Sequence, residues 1–127
     1  MAAIDVFNTY NEGLSTGDFD KVFSVLSDDV IWHQPGEHQF AGLFEGLGNV
    51  QAHLGELASE TAGTLKLETE WAAATDGLVT ANVHFTAQRN GKSIDMMEID
   101  VFRVEGDKIV EVWLVDQDVS LENDFWA

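Results

Sequence analysis

The chain has no cysteine and a single proline in 127 residues. Without thiols there is no disulfide framework and no thiolate chemistry, and a reducing cytoplasm is the expected setting. Basic residues are scarce: 6 Lys and Arg stand against 23 Asp and Glu, for a net charge of −17. Such a surface repels nucleic acid and anionic membranes, so neither is expected as a partner. The acidic residues form no clustered run, so the charge reads as solubility rather than as attraction for a basic partner. No apolar run is long enough to span a bilayer, and the first residues lack the basic and apolar regions of a secretory leader. The four histidines are scattered without the spacing of a metal pair, so no metal and no cofactor is expected. The length fits one domain, 1–127, with a sizeable core.

What is present is dominated by residues 93–118, which read as two long strands joined at Glu105-Gly106-Asp107. Their Val, Ile, Phe and Trp content suits a half-buried pleated surface. The strand before them alternates cleanly. Val79, Ala81, Val83, Phe85 and Ala87 share one face, and Thr80, Asn82, His84, Thr86 and Gln88 share the other. Asn90-Gly91 between the strands is a strong hairpin signal, because a type I′ turn needs two residues at positive φ. That turn pairs Phe85 with Met96, Val83 with Glu98 and Ala81 with Asp100. The register therefore carries two carboxylates, Glu98 and Asp100, onto the apolar face, whereas a slip of one residue would turn them to water.

In chain order, the spacing of Ala3, Phe7, Tyr10 and Leu14 predicts a helix over 3–14. Asp18 is a candidate N-cap for a second helix, whose stripe is Phe19, Val22, Phe23 and Leu26. Residues 30–33 read as a short strand stopped by Gln34-Pro35-Gly36, and 36–44 as a loop. A third helix over 46–59 turns Leu47, Val50, Leu54 and Leu57 inward. A strand over 64–74 follows, and the segment 119–127 reads as a tail that is polar except for Leu121, Phe125 and Trp126. The order is ααβαββββ, an α+β meander sheet with helices packed on one face. The outer face carries Met97, Ile99, Val101, Ile109, Trp113 and Val115. That much apolar surface predicts a homodimer through this face.

Several segments together resemble the NTF2-like superfamily, the cystatin-like cone of ketosteroid isomerases and SnoaL-like polyketide cyclases. They are the opening 10–20 (YNEGLSTGDFD), the Ser27-Asp28-Asp29-Val30 step, Gly42-Leu43-Phe44-Glu45-Gly46, and the closing hairpin around 99–104 and 106–111. The resemblance covers nearly the whole chain. It implies a curved antiparallel meander sheet with three helices enclosing an apolar pocket, and dimerisation through the sheet.

The resemblance also implies roles. Tyr10 matches the tyrosine of the isomerase oxyanion hole, and Asp100 matches its protonated aspartic acid. Gln34 stands at the position of the catalytic base, where a carboxamide cannot accept a proton at neutral pH. Asp116 resembles the acid/base aspartate of the cyclases. His53 flanks the stripe of the third helix, as either part of the core wall or a catalytic group. Trp32, Gln34, Phe85, Met96, Glu98, Val112 and Leu114 are the expected pocket lining, with Glu98 expected near the mouth in water. His38 is expected to fold over the mouth. Asp100 is expected deep in the cone near Tyr10, neutral through desolvation. The expected partner is a hydrophobic small molecule. Two readings stand side by side: a cofactor-free isomerase, cyclase or hydratase acting on a carbonyl compound, and a non-catalytic binding module. A structural or interaction dimer is the third.

Overall fold

At Asn90-Gly91 both residues take positive φ, 52° and 76°, the geometry of a type I′ turn. In this computed structural model, which describes residues 2–127, that turn joins β4 (Leu78–Arg89) to β5 (Lys92–Glu105). Their ladder runs without a break from Arg89↔Lys92 to Leu78↔Arg103, and it contains Phe85↔Met96, Val83↔Glu98 and Ala81↔Asp100. The expected register is therefore the observed one, and both carboxylates face inward.

The other elements are α1 (Ala3–Thr16), α2 (Phe19–Ser24), β1 (Leu26–Gln34), β2 (Gly42–Glu45), α3 (Leu47–Glu60), β3 (Lys66–Ala74), β6 (Lys108–Asp116) and α4 (Val119–Trp126). The strands form one sheet in the order β2-β1-β6-β5-β4-β3. All neighbours are antiparallel except β1 and β6, which pair in parallel. The sheet curves, and the helices cover its concave face, an α+β architecture.

Four features depart from the sequence reading. The region read as a loop over 36–44 contains the short edge strand β2. The tail is a helix, α4, so the described residues hold four helices rather than three. Leu26 belongs to β1, and Phe19 is 43% exposed, because α2 has only six residues and ends before a full stripe can turn inward. Ile109 points into the core, 0% exposed, rather than outward. A register shift between Arg103 and Val104 pairs Val104 with Ile109 while Arg103 pairs with Glu111. The extra residue in β6, Val110, reverses the facing of everything before it.

The helix pair α1–α2 closes the narrow end. Gly13 makes this possible: a Cβ there would lie 2.8 Å from a Val22 methyl and 2.9 Å from the Asp18 carbonyl oxygen. The Asp18 side chain caps α2 by accepting from the Lys21 N–H at 3.1 Å, the role its sequence position suggests. Two apolar clusters result. The lower one contains Val6, Phe7, Tyr10, Val22, Phe102 and Val112. The upper one contains Phe40, Leu57, Phe85, Met96, Phe125 and Trp126. Among the described residues no helix is long and apolar enough to cross a membrane.

Candidate functional site: a carboxyl layer between two apolar clusters

Along the inner face of β5 the side chains alternate in character by position. Ile94 and Met96 belong to the upper cluster, Phe102 and Val104 to the lower. Glu98 and Asp100, each 4% exposed, lie between them. The neighbouring strand β6 adds Asp116 opposite Glu98 and Leu114 opposite Asp100. On the far side of β6, the parallel strand β1 brings in Trp32, opposite Val112, and then Gln34 at its end. A polar layer thus crosses the interior at one level.

The fourth carboxyl arrives from the C-terminal helix. Asp118 caps α4, accepting from Ser120 N–H at 3.0 Å and Leu121 N–H at 3.3 Å. Glu122, Phe125 and Trp126 then fall on one face, at i, i+3 and i+4. Glu122 and Trp126 are both 0% exposed. The helix is fastened at its C-terminal end, where backbone carbonyls lack helical partners. Arg89 Nη1 donates to the carbonyls of Phe125 (3.4 Å) and Ala127 (3.0 Å). Lys92 Nζ donates to that of Asp124 at 2.8 Å, and Gln39 Nε2 to that of Trp126 at 3.1 Å. Arg89 also holds Glu60 from Nε and Nη2 and lies over the Phe40 ring, 5.5 Å from its centroid.

Hydrogen-bond chemistry fixes the orientation of the groups around Glu122. The Trp32 indole N–H can only donate, so the Gln34 atom 3.1 Å away is its oxygen. The same oxygen lies 2.9 Å from His53 Nε2, which must then carry the proton. The Gln34 amide nitrogen is left to donate to Glu122 Oε1 at 3.2 Å. His38 Nδ1 accepts from the Phe40 N–H at 3.1 Å. Its Nε2 therefore holds the proton, donating to the Pro35 carbonyl at 3.1 Å and lying 3.7 Å from Glu122 Oε1. Both imidazoles are neutral in this arrangement. Burial lowers the pKa of each, and for His53, which stacks on Phe44 with centroids 3.9 Å apart, the value falls to about 4.

The carboxyls move the other way. Burial pushes Glu98 well above its ordinary range, and the Asp100 charge and hydrogen bond and the Asp116 charge push it further. Asp100 is raised mainly by burial, with a hydrogen bond from Glu98 drawing it partly back. Asp116 is raised to about 8 by burial and by its contact with Glu122. Glu122 is raised by burial, against its polar contacts with Asp116 and Gln34. No N–H donor meets Asp100 Oδ1, either oxygen of Asp116, or Glu122 Oε2. Tyr10 is enclosed beside the rings of Phe7 and Phe102. Burial raises its hydroxyl pKa, and so do the charges of Asp100 and Glu98.

The structure thus brings Asp100, Asp116, Gln34 and Leu114 to one level, with Tyr10 and Trp32 in the lower cluster beneath and the Trp32 indole reaching Gln34. His53 is there too, with its Nε2 committed to Gln34. Phe85 and Met96 lie above the layer, Val112 below it. Glu98 is not near the mouth in water: α4 closes that end of the cone, and the side chain is enclosed. His33, on the outer face of β1, stacks on Trp113 and binds Glu111. Glu122 and Trp126 went unread in the sequence. The only signals for them were the Asp118 cap and the 122, 125, 126 spacing. A cavity of about 60 Å³ is lined by Tyr10, Phe19, Trp32, Leu54 and Leu67 among others, and by none of the four carboxyls.

The model of the SnoaL-like domain matches residues 7–112. The chain belongs to the SnoaL-like family. An uncharacterised protein of Mycobacterium tuberculosis is 32% identical to this SnoaL-like chain over 99% of it and 97% of the relative. A Xanthomonas campestris protein of unknown function with a cystatin-like fold superposes with a TM-score of 0.95 at 36% identity, covering 100% of this chain and 99% of that one. An NTF2-like protein of Burkholderia pseudomallei superposes at 0.86, with 17% identity and coverage of 98% and 96%. The fold is NTF2-like, as the resemblance implied.

Proposed function

We propose that the carboxyl layer is a cofactor-free acid–base site for a small apolar carbonyl compound. The observation that supports this most is the enclosure of four carboxyls at one level, with Asp100, Asp116 and Glu122 each presenting an oxygen that no N–H satisfies. Each such orphan costs about 1–3 kcal/mol, a burden that a purely structural core has no reason to carry. Adjacent buried carboxyls cannot all ionise, because each charge raises the pKa of the next. At neutral pH the layer therefore holds both O–H donors and a carboxylate, the pair of functions that enolisation requires. In this reading a neutral Asp100, with Tyr10 beside it, holds the carbonyl oxygen, while Trp32 and Leu114 wall the site.

The cavity has room for about five water-sized groups and is lined by Tyr10 and Trp32 but by none of the four carboxyls, so a compound of a few heavy atoms meets Tyr10 first and reaches Asp100 only when side chains between them move. The reading is tested by following α-hydrogen exchange in D2O for a panel of small ketones and 1,3-diketones. Wild type is expected to accelerate exchange for at least one of them, and Asp100→Asn to reduce the rate by about 10²–10⁴. One observation favours the second reading, a binding module: the Gln34 amide is engaged at both ends and contributes no base. Saturable shifts of the Tyr10 and Trp32 resonances without exchange would establish that reading instead. Neither exchange nor shifts with any compound would remove both.

A further inference from the structure

We propose that Glu122, delivered by the C-terminal helix, is the ionised member of the layer at neutral pH and the group to which a substrate proton passes. This rests on the acid–base reading above and assigns its proton acceptor. Four observations converge on this residue. The first is the orientation of Gln34. Its oxygen is taken by two donors, Trp32 and His53, so its NH2 must face Glu122 and requires an acceptor there. The second is His38. Its Nε2 proton goes to the Pro35 carbonyl at 3.1 Å, which leaves the positive edge of the ring 3.7 Å from Glu122 Oε1. Thirdly, Glu122 sits in the first turn of an eight-residue helix, where the helix dipole favours a negative charge. Finally, its second oxygen, Oε2, is buried and unpartnered, which leaves a lone pair for a ligand proton.

The other three carboxyls lack this support. Asp100 Oδ1 and both oxygens of Asp116 meet no N–H. Glu98 is pushed up by both aspartates. The groups facing Glu122 are Gln34 from β1, His38 from the loop after it, Glu98 and Asp100 from β5, Asp116 from β6 and Trp126 one turn along α4. Of these only the carboxyls carry charge when the imidazoles are neutral. A single anion in the layer is therefore placed where donors already point.

The step balances as a proton transfer. The α-proton of the carbonyl compound passes to Glu122 Oε2. The C–H electron pair becomes the C=C bond of an enolate, whose oxygen takes a hydrogen bond from the neutral Asp100. Return of the proton from Glu122 to the same or another carbon regenerates the carboxylate, with no oxidation or reduction.

The test is a side-chain carboxyl ¹³C titration of the wild-type protein, with 2,4-pentanedione exchange in D2O as the second readout. Glu122 is expected to ionise first of the four and to be charged at pH 7. In Glu122→Gln the Asp116 midpoint should fall, and exchange should drop at least about 100-fold. Ionisation of another of the four before Glu122 overturns the assignment, as does wild-type exchange that Glu122→Gln leaves unchanged. If Glu122 ionises first and wild type catalyses no exchange, the acid–base reading fails while Glu122 stands as the charged member of the layer.

Discussion

The two apolar clusters on either side of the carboxyl layer are assembled differently. The lower one is made by whole elements meeting along their length: α1 and α2 against β1, β4, β5 and β6. Its aromatic centre, Phe102 between Phe7 and Tyr10, has ring centroids 5.1 Å from both. The upper cluster is a closure. Phe40 comes from a loop, and Phe125 and Trp126 come from the last turn of an eight-residue helix. Its aromatic contacts are mostly edge-on, with Trp126 against Phe40, Phe85 and Phe125. Arg89, Lys92 and Gln39 tie it down through backbone carbonyls. The lower cluster thus carries the sheet, and the upper one holds Glu122 in place and keeps water off the layer.

Matched truncations separate these roles most sharply. Phe102→Ala and Trp126→Ala each remove a fully buried ring, and each is expected to cost about 3–5 kcal/mol in urea unfolding. They should differ in amide exchange under native conditions. Trp126→Ala should speed exchange in α4 while leaving the β4–β5 ladder protected, because the closure can open without the sheet. Phe102→Ala should weaken both together. Equal loss of protection across the sheet in the two variants would mean that the closure is an integral part of the core.

That difference also marks what could be read in advance. The lower cluster rests on local signals: helical spacing in α1, the Asp18 cap, alternation in β4 and the register pinned by Asn90-Gly91. Each was legible because the physics that sets it acts within a few residues. The upper cluster rests on contacts such as Gln34 with Glu122, 88 positions apart. Glu122 carries a charge, the feature that ordinarily marks a residue as exposed. Only its neutral or hydrogen-bonded environment, invisible before folding, makes burial tolerable. From the sequence Glu98 reads as wet for the same reason, since the helix that covers it reads as a tail. Ile109 was misplaced by one extra residue in β6, and side-chain alternation has no memory beyond such a bulge. Gln34, by contrast, was read onto the inner face correctly, although its partners were not foreseen.

A smaller effect is expected from pH, with opposite signs from the two kinds of group in the layer. Asp116 is raised from 3.8 to about 8. A group that binds its proton more tightly in the folded state stabilises fully below its unfolded value. That contribution is lost as pH rises through the folded one. Glu98, Asp100 and Glu122 act in the same direction. His53 is lowered from 6.5 to about 4, so its contribution is present above 6.5 and is lost as pH falls through the folded value. The four raised carboxyls outweigh the two lowered histidines, so stability should be highest near about pH 4–4.5 and decline as pH rises. Asp116→Asn should flatten the alkaline limb by about 1–2 kcal/mol, allowing for the partial exposure of the residue. His53→Gln should steepen the decline between about pH 4 and 6.5. Urea midpoints between pH 4 and 9 in high salt, which screens the surface self-repulsion, would decide. An alkaline limb unchanged by Asp116→Asn would mean that Asp116 is not held protonated.

The smallest effect on the protomer itself should come from a third apolar surface, outside the cone. Met97, Ile99 and Val101 on β5 are half-buried there, and Val115 on β6 is 55% exposed. Trp113 lies flat on His33, with ring planes 6° apart. Around them runs a polar rim in which Glu111 binds His33 at 2.7 Å and Arg103 at 3.2 Å. An apolar centre with a polar margin is the usual anatomy of a protein interface, and we propose that two copies of the chain pair across it. Unlike the two internal clusters, this surface should be separable from the layer. Ile99→Asp adds a charge at the centre of the face, so it should convert a dimer to a monomer in sedimentation velocity at micromolar concentration. The same substitution should leave the carboxyl titration of the layer unchanged and alter protomer stability by no more than about 0.5 kcal/mol, as expected away from the core. Wild type sedimenting as a monomer would refute the pairing. A dimer whose dissociation shifts the Asp116 midpoint would show that the interface and the layer are coupled through β5 and β6.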